Sequence, residues 1–248
     1  ALPVQLLILA LNLPFWQVLP RLFFRLLAFA LGLKVTLVGA PAENGAVLLV
    51  ANHISWLDIP AIASQVPVSF VAKSEVSRYP LVGWLAKLQK TVFVDRTRRT
   101  DTGRTAREMS ALMGQGGRVL LFAEGTSDIG THVLPFRSAL IGAAQHAMLE
   151  AGASDVLIQP LTIAYTKLQG LPVSRNERSL IAWIKSKSVK QNIAEILSGP
   201  VKDATVAFGA PMPLTQGDDR KAVTRAAENQ VRAMLVALNR GGDLPAPG

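Results

Sequence analysis

Seven short apolar runs, many of them rich in β-branched residues, recur along this chain with helical stretches between them. That alternation constrains the fold more than any other feature. The runs are VTLVGA (35–40), AVLLVAN (46–52), VSFVAK (68–73), TVFVD (91–95), RVLLFAE (118–124), DVLIQPLTIAY (155–165) and TVAFGAP (205–211). They are continuously apolar, the pattern of strands covered on both faces. Helical patterns occupy about 55–65, 80–88, 102–115 and 139–151, with others near 188–198 and 218–240. Gly114, Gly116 and Gly117 close one of these before a strand, and Gly241-Gly242 closes the last. The alternation predicts an α/β fold, a mainly parallel or mixed sheet flanked by helices. In such folds chemistry gathers where strands end and loops begin.

With 248 residues, half of them apolar, the chain can bury one sizeable α/β core. No Ser/Gly/Pro-rich linker and no fixed-period repeat divides it. The expectation is one main domain over 35–248 behind a distinct segment over 1–34. Residues 1–20 of that segment carry no charge, and Arg21, Arg25 and Lys34 are the only charges before Glu43. Roughly 20 apolar residues cross a bilayer as a helix, but Gln5, Asn12, Pro14, Gln17 and Pro20 interrupt this stretch. The positive charges follow the apolar run, the reverse of a signal peptide. Three readings remain open. Two helices broken near Pro14 to Pro20 lie in the membrane interface, with Trp16, Arg21 and Arg25 as anchors; or one marginal helix spans; or a helical pair is buried in a soluble protein. Membrane contact is the expectation.

Cysteine is absent, which removes disulfides, a thiol nucleophile and thiolate zinc sites. The three histidines, His53, His132 and His146, have no HExxH-like spacing, so no catalytic metal is expected. Net charge is +9, pI about 10.3 and mean hydropathy +0.31. A basic surface attracts nucleic acid, anionic lipid or an acidic carrier. No aromatics interleave with the basic residues, so nucleic acid is not an expected partner.

Three polar clusters follow strands. In LLVANHISWLDIP, His53 and Asp58 are five residues apart. On one continuous helix, positions five apart diverge by roughly 140°. The two side chains therefore meet only if His53 lies in the strand-to-helix loop and Asp58 in the first helical turn. An Asp bonded to one ring nitrogen fixes the tautomer and leaves the other as a general base for a hydroxyl proton. The competing reading is an Asn-His turn with Asp58 as a favourable helix-start charge. In RVLLFAEGTSDIGTHVLPFR, Glu124, Gly125 and Thr126 offer a carboxylate, a backbone open to close approach and a hydroxyl. They equally fit a turn glycine and an ion-paired glutamate. In KTVFVDRTRRTDTGRTARE, Arg96 directly follows a strand, with Arg98, Arg99, Arg104 and Arg107 behind it. These guanidinium groups suit phosphate or carboxylate, or form a solvated basic face. No G-x-S-x-G elbow, S-x-x-K pair, G-x-G-x-x-G or Walker loop occurs, so a serine acyl-enzyme has no evident nucleophile.

Taken together, these blocks are recognisable. NHISWLD resembles the NHxxxxD motif of the glycerolipid acyltransferases typified by 1-acylglycerol-3-phosphate acyltransferase. FVDR (93–96) is similar to that family's second block, FAEGT (122–126) to its third, and LIQPLTIAY (157–165) to its fourth. The resemblance implies that family's α/β domain behind a membrane-associated helical pair. It implies His53 as general base with Asp58 orienting it, and Arg96, Glu124, Gly125 and Thr126 as acceptor-binding residues. The implied reaction moves a fatty acyl group from acyl carrier protein or coenzyme A, as co-substrate, to the free hydroxyl of a lysolipid. No other cofactor is implied. The implied setting is the anionic surface of a bacterial inner membrane, on the cytoplasmic face.

The sequence departs from the pattern at Ala123, where proline is usual, and at Ser127, where a basic residue commonly follows EGT; Asp128 comes next. If that basic residue grips phosphate, its loss bears on lysophosphatidic acid as acceptor. The stretch 124–140 together with 158–172 resembles a bacterial branch that acylates ornithine-type aminolipids. Both acceptors stay open, with Arg137 as a further anion-binding candidate. Two other activities are compatible with the residues: hydrolysis of acyl thioesters, and non-catalytic binding to anionic membrane.

Overall fold

The computed structural model describes residues 2–43, 45–80, 82–94, 108–109, 111–112, 117–142, 156–184, 187–215 and 217–245. The helical pattern expected over 102–115 and 139–151 lies largely outside these residues, as do Arg96 and His146.

Among the described residues nine strands form one mixed sheet: β1 (Leu33–Val38), β2 (Ala46–Ala51), β3 (Ser69–Lys73), β4 (Val92–Val94), β5 (Arg118–Phe122), β6 (Val156–Leu168), β7 (Leu171–Pro172), β8 (Lys202–Phe208) and β9 (Met212–Leu214). Its order is β1-β8-β6-β2-β5-β3-β4, with the short β7 and β9 paired to β6. β2 lies between β5 and β6, parallel to both, and every one of its residues is buried. All seven apolar runs form strands. The sequence passes over β7 and β9 because two or three residues carry no readable period.

The proline inside β6 has a local explanation. Pro160 lies between the residues of β6 paired with β9 (through Ile158) and those paired with β8 (from Leu161). Its carbonyl accepts from Gly209 at 2.8 Å. Its nitrogen therefore faces the β8–β9 connection, where the ladder needs no donor.

Helices cover both sheet faces. They are α1 (Leu2–Ala10), α2 (Val18–Ala30), α3 (Asp58–Gln65), α4 (Val82–Leu88), α5 (Arg178–Ile181), α6 (Val189–Ser198) and α7 (Arg220–Arg240). Alternate residues of β2 point to opposite sides. Leu48 and Val50 pack with Val231, Met234 and Leu235 of α7, whereas Val47, Leu49 and Ala51 pack with Phe24, Ile62 and Ile196 from α2, α3 and α6. This double cover is why the runs are continuously apolar.

Residues 1–34 do not form one long helix. A break at 11–17, with Asn12 at φ 49°, separates α1 from α2, and α2 resumes at Val18 with Pro20 in its first turn, where a missing N–H is tolerated. Among the described residues no helix is long and apolar enough to cross a membrane. The expected anchors make contacts within the protein. Trp16 is buried, its carbonyl accepting from Gln5 Nε2 at 2.9 Å and its ring lying under Lys90 Nζ at 4.7 Å. Arg21 Nη2 donates to Gln65 O at 2.6 Å and Arg25 Nε to Ser64 O at 3.1 Å, meeting the last carbonyls of α3. Residues with this composition can cap a neighbouring helix as readily as they line an interface, and periodicity does not separate the two roles.

Candidate active site

The carboxyl ends of β2 and β5 are side by side, with Ala51 opposite Phe122, and the ladder continues one step as Ala123 N donates to Ala51 O at 3.0 Å. Both polar clusters therefore emerge at one sheet edge. Asn52 then ties the chain down. Its Nδ2 donates to Ile163 O and its Oδ1 accepts from Ile163 N, both at 2.9 Å, so the side chain replaces one rung of the β2–β6 ladder.

His53 follows in the loop and Asp58 opens α3, the geometry that the spacing requires. Asp58 is fully buried. Its Oδ2 receives His53 Nδ1 at 2.8 Å, Ile54 N at 2.7 Å and Ser55 N at 3.0 Å, and its Oδ1 receives Tyr165 Oη at 2.8 Å. Four donors converge on this carboxylate. A carboxylate offers only lone pairs, so Nδ1 carries the ring proton and Nε2 keeps a lone pair. The His53 side chain is 19% exposed, and Phe122 stacks on the ring with centroids 4.0 Å apart. The imidazole is thus fixed in tautomer and plane with one nitrogen left for chemistry. The competing reading, Asp58 as a helix-start charge only, does not account for the His53 and Tyr165 bonds. The Tyr165 hydroxyl is held protonated, its pKa raised by burial and by the Asp58 charge, so it remains a donor.

Glu124 lies beneath the same loop and is almost fully buried. Its Oε2 accepts from His53 N at 3.4 Å and its Oε1 from Leu134 N at 3.2 Å. Burial pushes its pKa up to about 8, with Asp128 and Asp58 adding to the rise and the two amide bonds opposing it. The carboxyl is therefore largely neutral at pH 7, and among the described residues its oxygens face the two backbone amides. Gly125 turns at φ +70°, a conformation that favours glycine, and Thr126 is partly exposed beside it. Asp128 N donates to His53 O at 3.0 Å. Both backbone groups of His53 are consequently held by the 124–137 loop.

That loop is secured in turn. Gly130, at φ +74°, offers its carbonyl to Asn239 Nδ2 at 2.9 Å, and the buried Arg178 donates to Asn239 Oδ1 at 2.9 Å. A Cβ on Gly130 would lie 2.6 Å from Ile54 Cδ1. Ser127 Oγ donates to Trp183 O at 2.5 Å, and Arg137 Nε donates to Glu124 O at 3.3 Å while the residue stays exposed.

His53, Asp58, Glu124, Gly125 and Thr126 are thus gathered at one strand-end edge. Arg96 lies outside the described residues. Sequence reasoning missed Asn52, Tyr165 and Gly130. Asn52 was legible as a polar residue closing an apolar run; Tyr165 reads as a core aromatic until its partner is known. Among the described residues no three His, Asp or Glu side chains cluster to hold a metal.

Known proteins share this arrangement of chain. Residues 34–164 match the family model described as Acyltransferase. The lyso-ornithine lipid O-acyltransferase of Brucella abortus is 41% identical over 98% of this chain and 91% of its own. The 1-acyl-sn-glycerol-3-phosphate acyltransferase of Neisseria meningitidis is 37% identical over 85% of this chain and 77% of its own. The crystal structure of the 1-acyl-sn-glycerophosphate acyltransferase of Thermotoga maritima shares the fold, with TM-score 0.63 over 91% of this chain and 80% of that one at 23% identity. A family match across more than half of the chain, with relatives at such identity over most of their length, settles the affiliation: the chain belongs to the acyltransferase family.

Proposed function

We propose that this protein moves a fatty acyl group from a carrier thioester to the free hydroxyl of a lysolipid, and that an ornithine-type aminolipid is its acceptor in preference to lysophosphatidic acid. The observation that carries the reaction is the buried Asp58 carboxylate holding His53 Nδ1 at 2.8 Å, which leaves Nε2 as a base. In the proposed step Nε2 takes the hydroxyl proton as the acceptor oxygen attacks the thioester carbonyl. The C–S bond then breaks, and the thiolate leaves as a thiol with the proton from His53. No side chain is acylated. The aminolipid preference rests on Ser127 and Asp128 following EGT and on the longer, higher-identity match to a lyso-ornithine lipid O-acyltransferase.

Arg96, Gly125 and Thr126 are assigned to the acceptor headgroup. Glu124 contributes by holding the His53 amide and the loop. The donor is a thioester of acyl carrier protein or coenzyme A, and the basic balance of +9 favours an acidic carrier. The lysolipid is reached at a membrane, which the reading takes as the cytoplasmic face of a bacterial inner membrane. Leu7, Leu11, Phe15, Val18, Leu22 and Leu26 are each more than half exposed, and Phe29 is 82% exposed. So large an apolar surface on one helical pair fits insertion into the interface.

The test is a panel crossing carrier-protein and coenzyme A thioesters with both lysolipids in vesicles, read as labelled diacyl product. Wild type forms product with lyso-ornithine lipid, and His53→Ala reduces turnover by at least about a thousandfold while remaining folded and vesicle-bound. Retained turnover in the variant overturns the base. Free fatty acid released at the same rate without any lysolipid identifies a hydrolase instead.

A further inference from the structure

The loop that holds His53 carries a carboxylate with an unmet requirement. Asp128 is attached to the site through its backbone, its N–H donating to His53 O at 3.0 Å. Its side chain is 25% exposed, yet Oδ2 is buried with no hydrogen-bond partner. His132 Nδ1 stands 3.6 Å away, beyond hydrogen-bond distance, on a ring that also contacts Thr131 Oγ1 at 3.1 Å. An anionic oxygen shielded from water without a donor is costly unless a ligand completes it.

Its surroundings define the missing partner. The neighbouring Glu124 is pushed towards its neutral form, partly by Asp128 itself. Ser127, at the position where a basic residue commonly follows this motif, is turned away and spends its hydroxyl on Trp183 O. Arg137 Nε is bonded to Glu124 O. Among the described residues none donates a hydrogen bond to Asp128 Oδ2, so a cation supplied by a ligand suits it. A lysophosphatidic acid headgroup has none. Ornithine has two amines, and the amide of an acylated ornithine uses one and leaves the other as an ammonium.

Resting on the aminolipid reading above, we propose that Asp128 binds the free ammonium of the acceptor headgroup and thereby selects zwitterionic aminolipids over phosphate lipids. Attraction of an ammonium and repulsion of a phosphate come from the same carboxylate, which gives discrimination from a single side chain.

The experiment compares three acceptors: lyso-ornithine lipid, the same lipid with its free amine acetylated, and lysophosphatidic acid. Wild type and Asp128→Asn, which keeps side-chain size and the backbone bond to His53, are assayed on each. Wild type is expected to prefer the free amine to the acetylated lipid by about tenfold or more in kcat/KM, the range of one charge-assisted contact. Asp128→Asn should lose that preference, raising the KM for the free amine by about tenfold more than for the acetylated lipid, and should improve on lysophosphatidic acid. Equal losses on free and acetylated lipid would mark Asp128 as structural and overturn the proposal. So would a wild type indifferent to acetylation, although the aminolipid reading would then stand. A wild type active only on lysophosphatidic acid removes both.

Discussion

Glu124→Gln isolates the electrostatic state of the loop beneath His53. In the folded protein this carboxyl has its pKa raised to about 8 from 4.5, mainly by burial. Between those values the folded state retains a proton that the unfolded chain has released, so this group makes stability fall as pH rises from about 4.5 to about 8. At roughly 1.36 kcal/mol per pKa unit the ceiling is about 5 kcal/mol over the whole range, and about 2–3 kcal/mol between pH 6 and 8. Glutamine cannot titrate, so the variant lacks this slope. It carries a fixed penalty instead. One amide oxygen replaces an acceptor for either His53 N or Leu134 N, while the NH2 group opposes the other donor, at about 1–3 kcal/mol. The variant should therefore be clearly less stable than wild type near pH 6 and approach or overtake it by pH 8.5. Urea unfolding of both proteins across that range, followed by tryptophan fluorescence, measures the difference. Two curves offset by a constant amount would show that Glu124 does not change protonation in this window, and the account of its burial would fail.

Removing the Tyr165 hydroxyl from the Asp58 carboxylate in Tyr165→Phe leaves Oδ1 without its donor. It should destabilise the fold by about 1–3 kcal/mol and lower kcat by roughly tenfold while leaving the acceptor KM unchanged, because the effect reaches the reaction only through His53. A raised KM with normal kcat would count against a positioning role. On the helical pair, Leu22→Ser, Leu26→Ser and Phe29→Ser combined should weaken binding to anionic vesicles by at least about a hundredfold in co-sedimentation, with the unfolding midpoint little changed, since all three side chains are exposed. Unaltered vesicle binding would refute interfacial insertion.

The sheet was legible because its strands are covered on both faces. Leu48 and Leu49 point into opposite cores, and such strands must be continuously apolar. The His53–Asp58 contact was legible as a conditional, since a spacing of five permits it in only one local geometry. The partners of Asp58 and Glu124 were not. Tyr165 is 107 residues from Asp58, and nothing local distinguishes its hydroxyl from that of any buried tyrosine. Glu124 reads as a charge available to a headgroup, and only burial shows that it is mostly neutral and turned onto amides. Arg21 and Arg25 likewise read as interfacial anchors, although the carbonyls they meet at the end of α3 are about 40 residues away.

The way His53 is held explains why so much of the motif outside the base pair is needed. A general base is effective in proportion to how little it must move to meet the proton. The backbone nitrogen of His53 faces Glu124, its carbonyl receives Asp128 N, its ring nitrogen is bonded to Asp58, and its ring face is covered by Phe122. Asn52 anchors the preceding residue to β6. These restraints come from α3, β5 and the 124–137 loop, so the imidazole is placed by the surrounding fold and not by its own segment alone. In the proposed reaction the lysolipid therefore meets a base whose orientation entropy was lost at folding. On the proposals above, variation among acceptors is carried by side chains such as those of Ser127 and Asp128, while the backbone of the same loop holds His53.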